Sequence, residues 1–120
     1  MGRGLSGLSQ LAKDRFATAS DILGLDLLEM CLSGPAENLN QTHHSQPALF
    51  VHSFVALELL IEKRPDLWQS VTAVAGLSLG EYTAIAAAGG LSFEDGLRLV
   101  RSRGLAMQAA ADATRSGMSS

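Results

Sequence analysis

The 120 residues predict an α/β fold in which helices outnumber strands, and three observations carry that prediction. Residues 5–32 alternate polar and apolar side chains at helical spacing. "PALFVHSFVALELLIEK", residues 47–63, is apolar on nearly every face, as in a helix covered on all sides. "VTAVAG", residues 71–76, is a short β-branched run of the kind found in buried parallel strands.

Taken in order, the first stretch reads as one long helix stopped at Gly24, with Leu11, Phe16, Ile22 and Leu23 facing inward, and a short helix over 26–32. Ser33-Gly34-Pro35 breaks the chain, and Asn38 to Ser45 is polar. The next helix is therefore predicted to begin near Pro47, since proline suits a first helical position. Arg64-Pro65-Asp66 ends it before the strand at 71–76. Glu81 to Ala88 reads as helix closed by Gly89-Gly90. Ser92 and Asp95 form a capping box that opens a final helix to about Ala113. A single strand makes no sheet, so the strand needs neighbours these elements do not supply.

Composition narrows the function. The chain is 47% apolar and 18% charged, a globular balance, with net charge −3. Neither nucleic acid nor an anionic membrane has an electrostatic reason to bind it, and aromatics for base stacking are scarce. No apolar run is long enough for a membrane span and the N-terminus lacks a signal-peptide layout, which predicts a cytoplasmic protein. Met1-Gly2-Arg3-Gly4-Leu5-Ser6 fits the myristoylation pattern, a short pattern that recurs by chance. The lone Cys31 sits in an apolar context and reads as packed.

The chemistry concentrates at Gly76-Leu77-Ser78-Leu79-Gly80. A serine between two glycines, after a strand and before a helix, is the plan of a nucleophile elbow, with the Leu79 N–H free to meet an oxyanion. Ser78 followed by Glu81 is equally a capping box, so both readings stand. A serine nucleophile needs a base, most often a histidine. His43, His44 and His52 all precede Ser78, and residues 79–120 contain none. His43 and His44 read as loop residues and His52 as a core residue, and the set makes a poor metal site. Arg98 and Arg101 read as a solvated face. Arg103 precedes Gly104 and a small-residue stretch that lets another backbone approach, so it either joins that face or offers its planar fork to a carboxylate.

"AVAGLSLGEYTAIAAAGGLSFEDGLRLVRSRGLAMQAAA" and, upstream, "LNQTHHSQPALFVHSFVALELL" resemble the malonyl-CoA:acyl-carrier-protein transacylases of fatty-acid synthesis. The first forty residues are similar to that family's opening helical stretch, so the resemblance covers nearly the whole chain. It implies part of an α/β-hydrolase-like large subdomain with a parallel sheet over residues 1–116, with 117–120 starting a ferredoxin-like small subdomain. It implies Ser78 as nucleophile, Leu79 as oxyanion-hole donor, Arg103 as anchor of the malonyl carboxylate and Gln46 as part of the active-site wall. Malonyl-CoA is then a substrate, no cofactor is implied, the partner is acyl carrier protein, and the complete protein is expected to be a monomer.

Three departures accompany the resemblance. Leu77 stands where many members have histidine. The family's Gly-Gln-Gly-Ser-Gln loop and its later catalytic histidine are not in these residues, and the expectation is an N-terminal fragment with little activity alone. The alternatives are a serine esterase or lipase using the same elbow, and a non-enzymatic relative in which Ser78 only caps a helix.

Overall fold

The computed structural model describes residues 9–113. The myristoylation pattern and the 117–120 boundary lie outside the described residues. Seven helices are formed among them: α1 Gln10–Leu23, α2 Leu27–Ser33, α3 Ala36–Leu39, α4 Thr42–Lys63, α5 Pro65–Gln69, α6 Leu79–Ala87 and α7 Phe93–Ala113.

Local caps and terminators set the helix ends, among them the expected stop at Gly24 and the expected cap at Ser92. Ser9 caps α1 by accepting from the Ala12 N–H, and Gly24 ends it in the left-handed region at φ 70°. Asp26 caps α2 through the Glu29 N–H at 2.9 Å. Ser92 accepts from the Asp95 N–H at 3.0 Å and opens α7. Ser20 Oγ donates to the Phe16 carbonyl at 2.9 Å and accepts from the Leu27 N–H at 3.0 Å, tying α1 to α2. Of the four residues expected to face inward, Phe16 and Leu23 are buried, while Leu11 and Ile22 are partly buried against the core. Cys31 is buried, and its burial pushes the thiol's pKa up.

Four expectations are corrected in the central helix. α4 begins at Thr42, not at Pro47, and Pro47 lies inside it. The polar segment before Pro47 carries no periodicity, yet the Gln41 carbonyl accepts from the N–H groups of His44 and Ser45 at 2.9 and 2.8 Å, closing a first helical turn. His43 and His44 are therefore on a helix, half-buried, and not in a solvated loop. His52, expected in the core, is also half-buried. Nor is the helix covered on all sides among the described residues, because Leu49 and Leu60 are exposed.

The strand expected at 71–76 is not formed, nor is any other strand among the described residues. Residues 71–76 adopt no regular structure and are exposed. A strand exists through its ladder of N–H···O=C bonds with a neighbour. With none beside it, the β-branched run has nothing to pair with, and the parallel sheet is not shown.

The core lies where α4 runs antiparallel to α7, with α1 and α6 against them. Phe50 is fully buried and stacks on Phe54 and Phe93, each with centroids 6.0 Å away. Arg15 closes this cluster from α1: its guanidinium lies 5.0 Å from the Phe93 centroid and 5.7 Å from that of Phe54. The same group makes a two-point pair with Glu58 at 2.8 and 2.6 Å, which raises the arginine's pKa. No helix of the described residues is long and apolar enough to cross a membrane.

Gly96 shows how tight the α4–α7 contact is, because a Cβ there would fall 2.5 Å from Phe50 Cζ. Alanine normally gains up to about 1 kcal/mol over glycine inside a helix. Here overpacking a buried, stacked ring outweighs that, and Gly96→Ala is expected to lose about 1–3 kcal/mol in urea denaturation. A gain in stability would show that the ring can move aside.

Candidate active site

The site forms where the start of α6 meets the seam between α4 and α7. Ser78 immediately precedes α6 with φ 55° and ψ −107°, the one positive φ of a non-glycine residue among those described. Such a conformation costs on the order of 1–3 kcal/mol and persists only where the surroundings impose it. Here they do: a Cβ on Gly76 would fall 2.0 Å from both the carbonyl carbon and oxygen of Gly80, so the turn closes only around a glycine. Glycine at position 76 is thus a steric requirement, as the elbow reading expects, whereas a Cβ on Gly80 would meet nothing within 4 Å.

The competing cap reading fails on geometry. Ser78 makes no side-chain cap to α6, and no capping-box bond joins it to Glu81. Its hydroxyl oxygen instead accepts from Nη2 of Arg103 at 2.9 Å. Leu79, the first residue of α6, carries one of the N–H groups that a helix leaves without an internal acceptor. The N-terminal end of the helix dipole adds partial positive charge at the same place.

Arg103 reaches this point from α7. Its Nη1 donates to Gln46 Oε1, and its guanidinium carbon lies 5.6 Å from the centroid of the Tyr82 ring. Gln46, on α4, is only 6% exposed. Its Nε2 donates to Met107 Sδ at 3.1 Å, so the amide has one partner at each end. All four residues singled out in the sequence, Gln46, Ser78, Leu79 and Arg103, therefore converge, although they come from three helices.

Gly104 behaves as its context suggested. A Cβ there would lie 2.9 Å from His43 Cα and 3.1 Å from the Thr42 carbonyl oxygen, so α4 starts hard against α7. Arg98 pairs with Asp95 at 3.1 Å on the exposed face, as expected. Arg101 departs from expectation: its Nη1 donates to the Ile22 carbonyl at 2.8 Å, satisfying the last turn of α1.

Sequence reasoning missed Tyr82 and Met107. Both were within its reach, since each lies one helical turn, four residues, beyond a residue already singled out, Ser78 and Arg103 respectively.

The strain at Ser78 gives a stability test. Ser78→Gly is expected to raise stability by about 1 kcal/mol in thermal denaturation, because glycine adopts φ 55° freely. A loss of that size would mean that the hydroxyl's bond with Arg103 outweighs the backbone strain.

The acyl transferase domain family matches residues 1–120. The mitochondrial malonyl-CoA-acyl carrier protein transacylase of Mus musculus is 44% identical over 118 residues, covering 98% of this chain and 31% of that protein. The malonyl CoA-acyl carrier protein transacylase of Haemophilus influenzae is 46% identical over 97 residues, covering 81% of this chain and 30% of that one. The crystal structure of acyl-carrier-protein-S-malonyltransferase from Bartonella henselae matches with a TM-score of 0.84 at 39% identity, covering 92% of this chain and 35% of that one. The chain thus spans about a third of the length of the curated relatives it matches. A serine held at a positive φ ahead of a helix, an arginine brought onto it, and a family match along the whole length agree: the chain belongs to the acyl transferase domain family.

Proposed function

We propose that this chain carries the nucleophile and the carboxylate anchor of an [acyl-carrier-protein] S-malonyltransferase. The observation that carries the proposal is the placement of one guanidinium against both Ser78 Oγ and the buried Gln46 amide. A cation fixed beside a nucleophile selects an acyl group that bears its own negative charge, and a planar fork holds a carboxylate in one orientation. The names of the relatives support malonyl-CoA as donor and acyl carrier protein as acceptor.

In this reading the malonyl carboxylate takes Nη2 of Arg103 from Ser78 and leaves the hydroxyl free to attack the thioester carbonyl. The new C–O bond forms as the C–S bond to coenzyme A breaks, and the departing sulfur takes up the serine's proton. The phosphopantetheine thiol of the carrier protein then attacks the seryl ester and returns a proton to Ser78. The Leu79 N–H meets the oxyanion of each tetrahedral intermediate. The proton moves through a base, and residues 79–120 hold no histidine for that role. Val71 to Ala75 serve as a strand of a parallel sheet, and the complete protein is a cytoplasmic monomer; both belong to the same proposal.

An esterase acting on neutral esters leaves Arg103 without a task, and the cap-only reading loses its footing with the missing cap. Without its base, a serine nucleophile typically loses on the order of 10⁴ to 10⁶ in turnover, so the 120 residues alone are expected to transfer malonyl groups very slowly. Prolonged incubation with malonyl-CoA, followed by peptide mass spectrometry, is expected to place a malonyl ester on Ser78, with less label from acetyl-CoA. Arg103→Ala is expected to erase that preference while leaving Ser78 in place. Equal labelling of the unaltered chain by the two thioesters would overturn the proposal.

A further inference from the structure

The seam between α4 and α7 holds a second amide that the proposed chemistry leaves unused. Gln108 Oε1 accepts from the Thr42 N–H at 3.0 Å, and its Nε2 donates to Asp112 Oδ1 at 2.9 Å. Thr42 is the first residue of α4, and the preceding Gln41 makes no side-chain cap. The carbonyl of Gln108 therefore does from another helix what an N-cap side chain does locally. Asp112 fixes which way round the amide sits, since only the NH2 end can face a carboxylate.

The register of these contacts is informative. Thr42 and Gln46 are one turn apart on α4 and face α7 together. On α7, Gly104 and Gln108 meet the backbone at residues 42 and 43, while Arg103 and Met107 meet Gln46. Gln108 thus holds the turn of α4 that aims Gln46, and Gln46 holds the guanidinium beside Ser78.

We propose that Gln108 is a positioning residue for carboxylate recognition, acting through Thr42 and Gln46 on Arg103. It rests on the reading of Arg103 as the carboxylate anchor. Losing the cap lets the first turn of α4 fray, Gln46 then samples other positions, and the guanidinium loses its fixed orientation.

The test uses the 120-residue chain with malonate as probe, followed by NMR at the backbone amides of Ser78 and Leu79, with hydrogen exchange at the Thr42 amide. Gln108→Leu, of similar shape but with no acceptor, is expected to speed Thr42 exchange and weaken malonate binding about tenfold. Gln108→Glu combined with Asp112→Asn keeps an acceptor for the Thr42 N–H and a donor against it, and is expected to recover both. Arg103→Ala is expected to abolish the malonate response. If Arg103→Ala abolishes it while Gln108→Leu binds as the unaltered chain does, the positioning role is overturned and the anchor reading stands. If Arg103→Ala binds malonate normally, the anchor reading fails and the positioning role falls with it. Should Gln108→Leu not fold, Gln108→Ala, which also removes the acceptor for the Thr42 N–H, decides: weaker malonate binding supports the role, and unchanged binding overturns it.

Discussion

The close antiparallel approach of α4 and α7 is the constraint on which the rest depends. Gly96 makes room for the Phe50 ring, and Gly104 makes room for the backbone at Thr42 and His43. Between these two points the helices are held at one separation and one register. Burial of Phe50, Val51, Val55, Leu97 and Val100 follows from that separation. So does the meeting of Gln46 with Arg103, which a slide of one residue along either helix would abolish. The core and the site are consequences of one packing solution, and residues with no polar atoms in their side chains decide where the polar ones meet.

The elbow adds the second half of the site by a different route. Its conformation comes from local crowding, with Gly76 against Gly80, and owes little to burial, since residues 71–78 are exposed. Leu77 is 89% exposed at the tip of this turn. A rigid turn on an uncovered segment meets an arginine anchored in a packed seam, and the 2.9 Å bond between Ser78 and Arg103 joins them. Arg15, clamped to Glu58 over the rings of Phe54 and Phe93, secures α1 to the same pair of helices from the far side.

Where side-chain chemistry acts within one turn, the sequence was legible. Ser92 as a cap and Gly24 as a terminator follow from a few neighbouring residues, and each serves its helix in that way. Ser78 and Leu79 were also found because a glycine pattern has a local physical meaning, Arg103 stood as one of two readings of an arginine ahead of a glycine, and Gln46 came only with the resemblance to a family. The start of α4 was not legible, since the acceptor for the Thr42 N–H comes from Gln108, far along the chain. For the same reason the bond of Arg101 to Ile22 could not be read from a helix face alone. The strand at 71–76 marks the opposite failure. Valine and threonine state a preference for a sheet, but a preference forms no ladder until another strand lies beside it.

The backbone angle at Ser78 restricts which side chains can stand in the elbow. A φ of 55° is a severe outlier for a side chain branched at Cβ. Threonine, branched at Cβ, is strongly disfavoured at this φ. The position thus favours side chains unbranched at Cβ, such as the primary alcohol of serine. Selection at this position is therefore made by steric shape before reactivity enters.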